Sequence, residues 1–155
     1  MIKTQLAAIR SSLPATTALI AVSKTHPIER IMEAYEAGQR DFGENKVQEL
    51  VEKYEALPKD IRWHMIGHLQ SNKVKYIAPF VHLIHGVDSF NLLKEINKQG
   101  QKNGRRISCL LQFHIAQEDT KFGLSLEEAE AFLVGPEFSL LSHVRICGVM
   151  GMATF

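Results

Sequence analysis

Short apolar runs alternate with helical patterns along most of the chain, and this alternation restricts the fold more than any other feature of the sequence. Strands are expected at 18–23, 41–44, 62–67, 81–87, 107–115 and 144–152. The run Leu19-Ile20-Ala21-Val22 is apolar at successive positions, which suits a parallel strand covered on both faces. Between the strands, Ile31, Ala34 and Tyr35 form the buried stripe of a helix over 28–37, with Pro27 in its first turn and Gly38 placed to end it. Val47, Leu50, Val51 and Tyr54 mark a second helix after Asn45, stopped by Leu57-Pro58. A third is expected over 71–78 behind Ser71, and a fourth over 90–101 before Gly104. Ser125 and Glu128 have capping-box spacing ahead of Phe132 and Leu133. The first strands recur at roughly twenty-residue intervals, compatible with a (β/α)8 barrel of which about six units are visible. The motifs GxGxxG and GxxxxGK[ST], natural in an open nucleotide-binding sheet, are absent.

Composition narrows the function classes. The chain has 155 residues, 45% of them hydrophobic and 23% charged, the balance of a soluble globular protein expected to form one domain over 1–155. A formal net charge of +1, with both signs interspersed, gives no electrostatic argument for nucleic acid or an anionic membrane as partner. Cys109 and Cys147 lie in separate apolar runs without CxxC pairing, as expected of buried thiols in the reducing cytoplasm. The first fourteen residues lack a continuous apolar segment; Ile2, Leu6, Ile9 and Leu13 instead share one face of a lead-in helix.

In parallel α/β folds chemistry collects where strands end. Lys24 follows the first strand, and an amine in a low-dielectric strand mouth would be held neutral more easily and so condense more readily with an aldehyde. From placement alone, a solvated loop lysine is the commoner reading. Asn45 ends the second strand and can either cap the next helix or offer its amide to a ligand, capping being the commoner role. His64 and His68 have i, i+4 spacing, but Met65 follows the first histidine in an expected strand, so the helical HExxH arrangement is missing and no metal site is assigned. His64 is read as a hydrogen-bonded structural histidine. His26, His82, His85, His114 and His143 lack ligand spacing and are assigned no role.

Taken in order, AVSKT, AGQRDFGENKVQE, WHMIGHLQSNK, GVDS at 86–89, EDTKFG at 118–123 and GVMGM at 148–152 resemble the pyridoxal phosphate homeostasis protein family, also called the proline synthetase co-transcribed homologue family. The resemblance covers essentially the whole chain. It implies an α/β fold like the N-terminal (β/α)8 TIM barrel of alanine racemase, with pyridoxal 5′-phosphate (PLP) held as a Schiff base on Lys24. It further implies that Asn45, His64 and Met150 lie near the cofactor and that Lys121 is an accessory basic residue at the mouth, a solvated turn lysine being an equal reading of Lys121. The family's role is non-catalytic cofactor homeostasis, affecting amino-acid and keto-acid balance. The alternative is a racemase-like isomerase using Lys24 as one base, for which the second base and its separate domain have no match here. Family members extend through two further βα units carrying the phosphate-binding segment, so the chain is expected to be C-terminally incomplete, and a monomer when complete.

Overall fold

The computed structural model describes residues 1–115 and 123–152. Its strands are β1 (Ala21–Val22), β2 (Asp41–Glu44), β3 (Arg62–Met65), β4 (Leu83–Val87), β5 (Ile107–Phe113) and β6 (Val144–Gly151). All pair in parallel, in the spatial order β1-β2-β3-β4-β5-β6. Sequential parallel strands need a crossover each, and helices supply the crossovers: α2 (Ile28–Glu36), α3 (Val47–Ala56), α4 (Val74–Ile77), α5 (Phe90–Lys102) and α6 (Leu126–Leu133), after the lead-in α1 (Ile2–Ser12). This is the strand order of a (β/α)8 barrel through its first six units.

Alternation along the strands separates two faces. Phe42, Trp63, Met65, Ile84, Ile107, Cys109 and Leu111 point towards the helices and are buried with Leu50, Val74, Ile77, Leu93 and Ile96. The opposite, inner face carries Val22, Gly43 and His64, aligned by the pairings Val22↔Gly43 and Gly43↔His64. One register irregularity in β6 shifts its pairing from Cys109↔Ile146 to Leu110↔Gly148, which brings Met150 opposite Gln112 on that inner face.

Several local expectations hold. Gly38 adopts φ +101 and closes α2, its N–H and that of Gln39 donating to the carbonyls of Tyr35 and Ala34. Ser125 and Glu128 form the reciprocal capping box of α6, and Ser89 accepts from the Leu92 amide at the start of α5. Others are corrected. β1 has two residues where six were expected, because as an edge strand it pairs only with β2; the Ser23 amide extends the ladder by one bond to the Gly43 carbonyl. On α1 only Leu6 is buried, and Ile9 stays 46% exposed, since α1 meets the body of the protein mainly through α2. Pro27 sits just outside α2, whose first residue is Ile28. Ser71 opens a short 3-10 turn rather than capping α4. Cys147 is exposed, on the free edge of β6, while Cys109 is buried as expected.

Candidate functional site

Lys24 lies one residue past the strand pairing of β1. Among the described residues it is exposed, as the commoner reading from placement has it, and β1 pairs there with β2 alone. The backbone on either side of Lys24 is nevertheless fixed. Ser23 donates from its amide to the Gly43 carbonyl at 3.0 Å and from its hydroxyl to the Glu44 carboxylate, and its carbonyl accepts from Lys53 Nζ at 2.7 Å. Thr25 holds φ +64, an uncommon conformation for a β-branched residue, and its amide donates to Glu49 Oε1 at 2.7 Å. Lys53 Nζ also reaches Glu44 Oε2 at 2.9 Å and Glu49 Oε1 at 3.0 Å, so its three N–H groups have three acceptors. Glu44 is fully buried, and burial pushes its carboxyl above the ordinary value despite Lys53 and Ser23; its Oε1 has no hydrogen-bond partner among the described residues. Glu49 is drawn down to about 2 by its neighbours, the Glu44 carboxyl first and then the Thr25 amide.

Asn45 follows β2 as Lys24 follows β1. It does not cap α3, whose N-terminal flanking residue is Lys46, without a side-chain bond. It borders a groove of about 610 Å³ also lined by Val51, His68, Gln70, Lys73 and Tyr76. Beside it, Gly67 is required: a Cβ there would lie 2.5 Å from the Asn45 carbonyl oxygen, and one on Gly86 would lie 3.0 Å from the Gly67 carbonyl oxygen. The chain thus passes close together after β2 and β3, and no side chain projects at Gly67.

His64 is buried one register step below this rim, with both ring nitrogens engaged. Nε2 is 2.9 Å from Asp41 Oδ1 and Nδ1 is 2.9 Å from His85 Nε2. A carboxylate only accepts, so a neutral His64 donates from Nε2 to Asp41 and accepts at Nδ1 from His85. Burial alone would raise the Asp41 carboxyl, but the hydrogen bonds from Arg62 and His64 outweigh it and hold it below its usual value. Burial lowers His64 against the pull of Asp41, and burial with the neighbouring His64 lowers His85 to about 4. His64 and His68 do not converge, because His68 turns to Asp88 at 3.4 Å. Asp41, His64 and His82 do place ligand atoms within 4.8 Å of one another, yet Arg62 already holds both oxygens of Asp41, at 2.9 and 2.7 Å. That guanidinium supplies the positive charge a cation would bring.

Met150 is half-buried on β6, on the inner face. Lys121 lies outside the described residues. The structure therefore puts Lys24 and Asn45 after adjacent strands, His64 below them and Met150 across the sheet on the same face. Sequence reasoning missed the support beneath Lys24 and the Asp41–His64–His85 chain. One signal for the former was available: Lys53 falls three residues after Leu50 and four before Leu57, on the buried stripe of α3, where an unpaired lysine would be costly.

PLP needs an amine for its aldehyde and hydrogen-bonding groups for its ring substituents. The exposed Lys24 amine and the Asn45 amide not spent on a cap fit those needs.

Comparison with known proteins agrees with this chemistry. The family model described as alanine racemase, N-terminal domain, matches residues 1–154. A pyridoxal phosphate homeostasis protein of Aquifex aeolicus is 42% identical over 134 residues, spanning 85% of this chain and 58% of that protein. The Homo sapiens protein of the same name is 40% identical over 146 residues, spanning 88% of this chain and 53% of its own length. The chain thus spans a little over half the length of these two relatives. PipY of Synechococcus elongatus, solved with PLP bound, superposes with a TM-score of 0.88 at 40% identity, covering 100% of this chain and 72% of that one. An alanine racemase of Clostridium difficile shares the fold at TM-score 0.78 and 15% identity, covering 99% of this chain and 40% of that one. The chain belongs to the alanine racemase N-terminal domain family and, within it, to the pyridoxal phosphate homeostasis proteins.

Proposed function

We propose that the protein binds PLP through Lys24 and holds it without turnover, as part of the machinery that sets the cell's supply of the cofactor. The observation that carries this reading is the exposed Lys24 amine at a strand end, mounted on backbone fixed at both Ser23 and Thr25. The names of its relatives, and the PLP bound to PipY, support it. The aldehyde of PLP condenses with a neutral primary amine, forming a C=N bond and releasing one water. Lys24 is the residue to supply that amine. Asn45 would present its amide to a ring substituent, and Met150 would pack against the ring from β6. His64, its nitrogens engaged by Asp41 and His85, would contribute the face of a fixed imidazole. Lys121 is assigned to the mouth as an accessory cation.

A racemase would need a second base across the cofactor from Lys24. The tyrosines all fall in helices and are poor replacements: Tyr35 donates to Asp60, Tyr54 stacks on Phe80, and Tyr76 is half-exposed on α4. We assign the protein to the cytoplasm, as a barrel domain that is monomeric when complete. Among the described residues, no helix is long and apolar enough to cross a membrane. Titration with PLP, followed by equilibrium dialysis, is expected to show saturable binding that Lys24→Ala abolishes, with no exchange of the alanine α-proton in deuterated water. Lys24-dependent proton exchange would replace this reading with the racemase-like one.

A further inference from the structure

Lys53 stands on α3, yet it spends its ammonium on the loop that carries Lys24. Its side chain is 7% exposed, and two of its three bonds, to Glu44 and Glu49, assemble a carboxylate pair beneath that loop. The third goes directly to the Ser23 carbonyl. Glu49, held by Lys53, then accepts from the Thr25 amide. Lys24 is therefore bracketed by two backbone groups gripped by one buried cluster.

A purely structural role explains this arrangement poorly. A buried ion pair is commonly no more stabilising than apolar residues of equal volume, and this one leaves Glu44 Oε1 without a partner among the described residues. Nor does the cluster merely complete α3, since Ser23 and Thr25 lie 30 and 24 residues from the groups that bind them. Thr25 at φ +64 is a backbone conformation that persists only where its surroundings over-determine it. The Glu49 carboxylate supplies that restraint one residue beyond the lysine that would meet the cofactor.

We propose that Lys53 is a positioning residue for Lys24: through the Ser23 carbonyl, and through Glu49 to the Thr25 amide, it fixes the backbone from which the Lys24 amine meets the aldehyde of PLP. This rests on the assignment of Lys24 as the anchor. Covalent attachment depends on near-attack geometry, and a misplacement of about 1 Å can cost on the order of 100-fold in rate.

The test uses the purified chain with PLP as the probe, reading the rate of growth and the circular dichroism of the absorbance band near about 420 nm that marks condensation with an activated lysine. Glu49→Leu removes the acceptor of the Thr25 amide at a partly exposed position and leaves the Lys53–Glu44 pair in place. Glu49→Gln keeps an acceptor oxygen. The double variant Glu44→Gln with Lys53→Met removes both buried charges together. Thermal melts of all three establish that each is folded. Glu49→Leu and the double variant are expected to slow attachment by roughly 10- to 100-fold and to weaken the dichroic band, with Glu49→Gln staying within about threefold of the parent. Folded variants that match the parent in rate and dichroism would overturn the positioning role while leaving the anchor standing. A borohydride-fixed label on another lysine of the parent protein would overturn the anchor, and the positioning role with it.

Discussion

Acid should loosen this fold before its carboxylates titrate, and His85 should account for much of the effect. The imidazole is held near 4 by burial and by His64, against an ordinary value of 6.5. A histidine lowered in the folded state gives stability that is complete above its unfolded value and is lost as pH falls from there towards the folded value, because the unfolded chain takes up the proton first. The imidazole is only half-buried, so solvent screens part of the effect, and about 1 kcal/mol is expected to disappear between pH 7 and pH 5. His64, lowered for the same reason, acts in the same direction. Asp41, held below its usual value, gives stability that is lost only as pH falls below the ordinary carboxylate range. Urea unfolding of the parent and of His85→Gln at pH 7, 6 and 5 isolates the effect, since glutamine can still donate to His64 Nδ1 but carries no titrating proton. The variant should lose about 1 kcal/mol less than the parent between pH 7 and pH 5. Parallel losses in the two proteins would refute the claim that the half-buried His85 is held neutral against His64.

Breaking the buried pair is expected to be far worse than removing it. Lys53→Met strands the fully buried Glu44 and should cost about 3 to 5 kcal/mol in urea unfolding at pH 7, whereas adding Glu44→Gln should return most of that. At Gly67, a Cβ would lie 2.5 Å from the Asn45 carbonyl oxygen. Gly67→Ala should therefore destabilise by about 1 to 3 kcal/mol and move the Asn45 backbone amide resonance, while Gly104→Ala, where the space is open and only the φ of +62 resists, should leave that resonance in place.

The architecture was legible because it rests on local patterns. Apolar runs such as Ile107 to Phe113, the glycine at 38 and the Ser125–Glu128 spacing each act within a few residues, and they reappear as a strand, a helix end and a capping box. Lys24 and Asn45 were singled out because parallel folds collect function where strands end. What stayed hidden depends on register. His64 meets Asp41 and His85, 23 and 21 residues away, only because β2, β3 and β4 align one particular way. The partners of Lys53 are set by the crossover of α3, which brings it beneath Ser23, 30 residues away. The shortness of β1 is likewise a property of a sheet edge, which no residue of the strand announces.

The most direct test of the account is the fate of the Lys24 amine. The protein, incubated with PLP, reduced with borohydride and digested, is expected to carry one stoichiometric label in the peptide containing Ser23-Lys24-Thr25, absent in Lys24→Ala. A label spread over several lysines in proportion to their exposure, or retained in full by Lys24→Ala, would contradict it.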